Sequence, residues 1–182
     1  NSEEDTGKEN CITNPEASVL QASTDSDTYL NNFHFIKKFD REGNLVDSWG
    51  TVGSDDGQFL HAHGITVDLK DNVYVSDQAN PRVQKFDSEG KFIKMWGKEG
   101  SKKGQFVHQH DITVDSNDYV YVTDGRQNSR VSVFDSNGKF IKMWGSEGKD
   151  EGQFIEDHGI VVDSEGNVYV VDTRNARVQK FD

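Results

Sequence analysis

The sequence predicts an all-β fold, a β-propeller built of four-stranded antiparallel blades. Three observations carry this. Trp49, Trp96 and Trp144 stand 47 and 48 residues apart, and His63, His110 and His158 keep the same spacing. A fixed period of that length marks an array of one repeated supersecondary unit. Each unit holds four short runs rich in Val, Ile, Tyr and Phe, residues that suit a pleated strand. Tight-turn chemistry separates the runs, and no stretch shows a helical period. Four short antiparallel strands in roughly 45 residues make the pattern of a propeller blade.

Residues 1–31 precede the array. They carry seven acidic side chains and one basic one, with a short apolar patch at Val19 and Leu20. So little apolar surface does not offset the entropy of ordering, and the segment is expected to be a flexible acidic tail. Cys11, the one cysteine, lies in it, which excludes a disulfide framework within the chain and a cysteine-based zinc site. The propeller segment then covers 32–182. Residues 34–50 supply the last two strands of a blade, His34–Asp40 and Asn44–Gly50. Residues 57–97 make a full blade with strands at Gly64–Asp68, Val73–Asp77, Arg82–Asp87 and Lys91–Gly97. Lys70-Asp71-Asn72, Gln78 to Pro81 and Ser88-Glu89-Gly90 are its turns. Residues 104–145 repeat that blade, and 152–182 repeat all but its last strand. The one extra residue of the array falls between Asp124 and Arg130, in a turn, where insertions are tolerated. The chain thus spans about three blades and is a partial propeller with open strand edges. It begins with Asn1 rather than methionine, which fits a processed product or a fragment; processing would suit a secreted or cell-envelope protein.

The motifs Val-Tyr-Val-x-Asp, Asn-x-Arg-Val, Phe-Asp, Gly-Lys-Phe and Trp-Gly recur in phase, and the stretch from His63 to Gly97 shows them in order. On these residues, over 34–182, the chain resembles NHL-repeat proteins. The resemblance implies a propeller of commonly six blades, so the chain would be part of a longer ring or half of a six-bladed ring closed by a second copy. It also implies a binding module for proteins, RNA or small ligands.

Several repeated residues have a structural reading. Asp77, Asp124 and Asp172 end the second strands, and Arg82, Arg130 and Arg177 open the third, so a salt bridge across the turn is expected. Trp49, Trp96 and Trp144, with Phe59, Phe106 and Phe154, are expected to fill the gaps between blades; carbohydrate stacking is the alternative for the tryptophans. The glycines near each tryptophan serve a connector that turns sharply, and no phosphate-binding glycine motif is present.

Charge narrows the partners. The chain has 32 Asp+Glu against 20 Lys+Arg, a poor surface for nucleic acid or anionic lipid. Lys98, Lys102 and Lys103 read as a solvated loop. No apolar run reaches the roughly 20 residues of a membrane helix.

The histidines carry the sharpest functional signal. His61, His63, His108, His110 and His158 occupy one place in the repeat, just before the first strand, and Glu156 stands where His61 and His108 stand. Residues two apart on an extended chain face one side. First strands line the channel of a propeller, so His63, His110 and His158 are expected to converge at its mouth, with His61, His108 and Glu156 beside them. Converging imidazoles with an open position describe a zinc site, and they also suit other divalent metals. A ring of histidines bonded only to backbone is the structural alternative.

Peptidyl-α-hydroxyglycine α-amidating lyase is a second, more distant resemblance. Its blades also carry zinc-binding histidines at the strand start, to which His63-Gly64, His110-Asp111 and His158-Gly159 are similar. This implies zinc and lyase chemistry. The chain departs from that enzyme: Arg126 replaces its catalytic tyrosine, Thr173 then Arg174 replace an arginine, and consecutive rather than alternate blades carry the histidines. The expected function is therefore a propeller module that binds a protein or small molecule at the channel mouth, with zinc or another divalent metal as the candidate cofactor. The alternatives are a metal-dependent lyase or hydrolase, in which Arg126 and Arg174 stabilise a developing oxyanion, and an RNA-binding propeller, which the acidic body disfavours.

Overall fold

A computed structural model of the chain describes residues 19–23 and 35–182. The tail expected at 1–31 lies outside the described residues except for 19–23, as do Cys11 and His34. Four antiparallel sheets follow one another in chain order, with three, four, four and three strands. The first holds β1 (Val19–Ser23), β2 (Phe35–Phe39) and β3 (Leu45–Trp49). A short parallel pair, β4 (Thr51–Val52) and β5 (Gln58–Phe59), forms the connector to the second blade. That blade is β6 (Ala62–Val67), β7 (Val73–Asp77), β8 (Arg82–Phe86) and β9 (Phe92–Trp96). The third is β10 (Gln109–Val114), β11 (Val120–Asp124), β12 (Arg130–Phe134) and β13 (Phe140–Trp144). The fourth is β14 (Asp157–Val162), β15 (Val168–Asp172) and β16 (Arg177–Phe181), with a short 3-10 turn at Thr173–Asn175.

One element differs from expectation. Val19–Ser23, within the stretch read as a tail, pair antiparallel with the whole of Phe35–Phe39. The cause is the free edge of β2, whose unpaired backbone groups bind any nearby extended segment.

The core sits between blades. Tyr74 and Val83 of the second blade bury against Ile112, Val120, Val122 and Phe134 of the third, with Phe106 between them. Tyr121, Val131 and Val133 meet Ile160, Val168 and Val170 in the same way around Phe154. The tryptophans pack as expected: Trp49 lies so close over Gly90, and Trp96 over Gly138, that a Cβ at either glycine would stand 2.5 Å from the indole. Both glycines also have positive φ, 75° and 77°, so the turn and the packing demand the same residue.

The Gly-Gln-Phe connector is explained by its partners. Gln58 Oε1 accepts from the amide of Asp55 at 3.0 Å, and Gln105 does the same with Lys102 at 3.0 Å. The guanidinium of Arg82 donates to the carbonyls of Ser54, Asp55 and Gln58 at 2.7, 3.1 and 2.7 Å. Arg130 repeats this on Ser101, Lys102 and Gln105. Arg82, Arg130 and Arg177 reach the expected aspartates at 3.5, 3.4 and 2.9 Å. Their terminal nitrogens, however, tie the connector to the blade.

Candidate functional site

Each first strand starts two residues earlier than its Gly-Ile or Asp-Ile pair suggests, and its register breaks at once. The breaks fall between Ala62 and Ile65, between Gln109 and Ile112, and between Asp157 and Ile160. The residues inside them are His63-Gly64, His110-Asp111 and His158-Gly159. Each histidine therefore sits in a β-bulge, a device that re-aims a side chain at a strand end. Neighbouring inner strands crowd here: a Cβ at Gly64 would stand 2.8 Å from the Cα of Asp111.

The strand-ending aspartates hold the approach to each bulge. Asp77 accepts from the amide of His61 at 2.8 Å, and Asp124 from those of Val107 and His108, both at 2.9 Å. The amides that follow the second strands, at Gln78, Gly125 and Thr173, donate to the carbonyls of His61, His108 and Glu156. Two anchors thus fix His61 and His108 and bring the next turn beside them; in the fourth blade Asp172 accepts instead from the amide of Ile155 at 3.1 Å.

The five imidazoles do converge. Ring centroids of His63 lie 5.8 Å from both His110 and His158, and those of His110 and His158 lie 4.3 Å apart in a stack tilted by only 11°. His61 stands 5.5 Å from His63, and His108 stands 4.7 Å from His110. Nδ1 of His63 meets the carbonyl of His110 at 2.6 Å, and Nδ1 of His110 meets the carbonyl of Asp157 at 2.7 Å. A carbonyl only accepts, so each Nδ1 carries the proton and each Nε2 keeps its lone pair. Burial lowers the pKa of His110 to about 4, and burial followed by the Arg126 charge lowers that of His108. Both rings are neutral at pH 7.

Arg126 and Arg174 both lie against Glu156, at the position equivalent to His61 and His108. Arg174 Nε bonds Glu156 Oε2 at 2.6 Å, and Arg126 Nε stands 3.9 Å from Oε1. The carboxylate offered by the sequence as a metal ligand thus faces two guanidiniums. Among the described residues, no three His, Cys, Asp or Glu side chains stand together in a way that could hold a metal ion. The stacking of His110 on His158 explains this, since parallel rings do not aim their lone pairs at one point.

Asp157 is the residue sequence reasoning missed. It is fully buried, and neither carboxylate oxygen has a hydrogen-bond partner among the described residues. Burial pushes its pKa up to about 7, with the Asp124 and Asp172 charges adding to the effect. The available signal was a break in the repeat: Ala62 and Gln109 occupy the same place in the other blades.

Comparison with known proteins supports the architecture. The NHL repeat family model matches residues 158–181. Solved propellers match far more of the chain. A streptogramin B lyase structure aligns over 84% of this chain and 49% of its own, with 17% identity and a TM-score of 0.58. The WD40 β-propeller domain of Doa1 aligns over 94% and 48%, with 14% identity and a TM-score of 0.60. The chain therefore carries an NHL repeat at its C-terminal blade and has a β-propeller fold. Virginiamycin B lyase from Staphylococcus aureus aligns over 84% and 50%, with 15% identity and a TM-score of 0.53. The chain spans about half the length of these solved structures, and at such identities the likeness shows the fold alone. No curated protein sequence matches it. Among the described residues, no helix is long and apolar enough to cross a membrane. Propellers commonly act as binding modules for proteins or ligands, and fold alone assigns no chemistry.

Proposed function

We propose that this chain supplies the channel-mouth site of a ligand-binding propeller. The observation that carries it is the convergence of five imidazoles from three blades, with the Nδ1 of His63 and of His110 spent on backbone and Nε2 left over. Rings held in this way through Nδ1 present Nε2 and aromatic edges to a bound group. The ligand is a small molecule, or a protein segment narrow enough to enter the mouth. A thermal-shift screen of metabolites and short peptides tests it, with the wild-type chain beside a His63→Ala/His158→Ala chain. Compounds that raise the wild-type melting temperature and leave the variant unmoved support the function. A screen without such compounds overturns it.

A divalent metal is the second reading, and the tautomer favours it. Nδ1 held by a carbonyl leaves Nε2 as the ligating atom, the usual outer support of a metal-binding histidine. His63, His110 and His158 would hold it, once the His110 ring leaves the His158 stack; zinc would supply a polarised water there. Elemental analysis of the wild type and of a His63→Ala/His110→Ala/His158→Ala chain decides this: equal metal in both, or none in either, removes it. Lyase or hydrolase chemistry would need that metal, with Arg126 and Arg174 facing the reacting group. A second copy closing the ring is the assembly we propose for the open sheets, and the molecular mass in solution tests it.

A further inference from the structure

The turn that carries Arg126 is unlike its equivalents. Six positions separate Asp124 from Arg130, against five from Asp77 to Arg82 and from Asp172 to Arg177. The longer turn places two non-glycine residues, Arg126 and Ser129, at φ of 55° and 44°. Left-handed backbone at such residues persists where surrounding bonds hold it, and it clusters at binding sites. Those bonds are present. Ser129 Oγ donates to the carbonyl of Arg126 at 2.7 Å, and Asn128 Nδ2 donates to Asp124 Oδ2 at 2.5 Å and to the carbonyl of Gly100 at 3.2 Å. Arg126 is thus presented by a locked turn.

Its counterpart in the fourth blade is Arg174. Between them lies Glu156, whose side chain is 17% exposed, while those of Arg126 and Arg174 are 60% and 66% exposed. The carboxylate pairs with Nε of Arg174 at 2.6 Å and stands 3.9 Å from Nε of Arg126. Among the described residues, the side chain of neither arginine has an ion pair or hydrogen bond with any residue other than Glu156. Around Glu156, two guanidiniums face one carboxylate, on a chain whose overall charge is −12.

Resting on the channel-mouth function proposed above, we infer that the ligand carries a carboxylate, which docks between the free edges of Arg126 and Arg174. A guanidinium edge presents paired N–H donors in the plane and spacing of a carboxylate. Glu156 is a resident mimic of the ligand group. It keeps the two arginines apart and in place when no ligand is bound, and it competes with the ligand for them. This is a different role from that of His61 and His108, which hold the same place in the other blades.

Acetate is the probe, and acetamide its neutral isostere. Histidine Cε1–H signals of the full chain are followed by NMR at pH 7 during titration with each. In Glu156→Gln the resident anion is gone while its shape remains, and acetate is expected to bind about tenfold more tightly than in the wild type. Arg126→Gln/Arg174→Gln is expected to lose the acetate-dependent shifts. Both arginines are exposed, and the tryptophan fluorescence of the double variant checks that it folds. Acetamide is expected to move nothing. Acetate binding no tighter in Glu156→Gln than in the wild type, equal shifts in the double arginine variant, or equal shifts with acetamide each overturn the inference. If acetate fails while screened ligands still depend on His63 and His158, this inference falls and the channel-mouth function stands. If acetate behaves as expected while those ligands ignore His63 and His158, the channel-mouth function falls.

Discussion

Two junctions of the same design differ at the residue that starts the first strand. Where the second and third blades meet, Gln109 lies at the strand start, and its Nε2 donates to the carbonyl of Arg82 at 3.2 Å. Where the third and fourth blades meet, Asp157 takes that place, buried and unpartnered. Asp is one methylene shorter than Gln and has no N–H to give. Their apolar filling corresponds: Phe106 and Phe154 are both fully buried, and Val83 and Val131 are both fully covered. Repetition therefore lets one junction carry an unfavourable residue, because the apolar packing beside it is already sufficient. A residue kept at such a cost is a candidate for control of the site next to it, and the backbone carbonyl of Asp157 holds the His110 ring.

The largest expected effect breaks the shared part of the design. Phe154→Ala removes the side chain that fills the junction of the third and fourth blades. It is expected to cost about 3–5 kcal/mol in denaturant unfolding. A loss below about 1 kcal/mol would mean that the junction contributes little.

Asp157→Asn tests the difference itself. The folded pKa of Asp157, about 7, lies above the ordinary value of 3.8. Between those values the unfolded chain has released a proton that the folded chain still holds. Stability from this group is therefore full below pH 3.8, falls as pH rises, and is lowest above about pH 7. The asparagine variant is expected to be more stable than the wild type at pH 8 by roughly 2–4 kcal/mol. His110 acts in the opposite sense. Its folded pKa, about 4, lies below the ordinary 6.5, so its contribution is present above pH 6.5 and is lost as pH falls towards 4. The two windows overlap and offset. In Asp157→Asn the melting temperature is expected to climb steeply from pH 4 to 6.5, where the wild type stays flatter; parallel curves would sink this account.

A third test compares equivalent valines. Val131 is fully buried by the fourth blade, whereas Val178, at the same place one blade on, is 62% exposed. Val131→Ala is expected to cost about 2 kcal/mol, and Val178→Ala less than about 0.5 kcal/mol in the isolated chain. Equal losses, accompanied by a doubled mass in solution, would show a second copy covering that face.

The smallest effect is at Asp111. Its Oδ2 accepts from the amide of Ile160 in the next blade at 3.1 Å, while the equivalent Gly64 and Gly159 have no side chain to do so. Asp111→Gly is expected to lose about 1 kcal/mol, and amide exchange at Ile160 reads the loss directly.

Much of the fold was legible in the sequence. The period of Trp49, Trp96 and Trp144 placed every blade, and β7, β11 and β15 lie where Val-Tyr-Val-x-Asp predicted them. The strand at Val19–Ser23 was not legible, because its five residues have no repeat partner and are ordered by the free edge they meet. The site was legible in part. Duplication singled out the histidines, and it also hid Asp157 and Arg126, which are informative because they depart from the repeat. Spacing alone also did not show the bulges: alternation predicts an ordinary strand start, and the register break appears only when two strands are paired.

By itself the sequence determined the all-β class and the blade order and pointed to the convergence of His63, His110 and His158, since these follow from period and pattern along the chain. Only the tertiary structure decided which ring nitrogen is free, that Glu156 lies between two arginines, and that a carboxylate is buried without a partner. Those depend on distances between blades, where residues about 47 positions apart meet, and local pattern carries no information about such contacts.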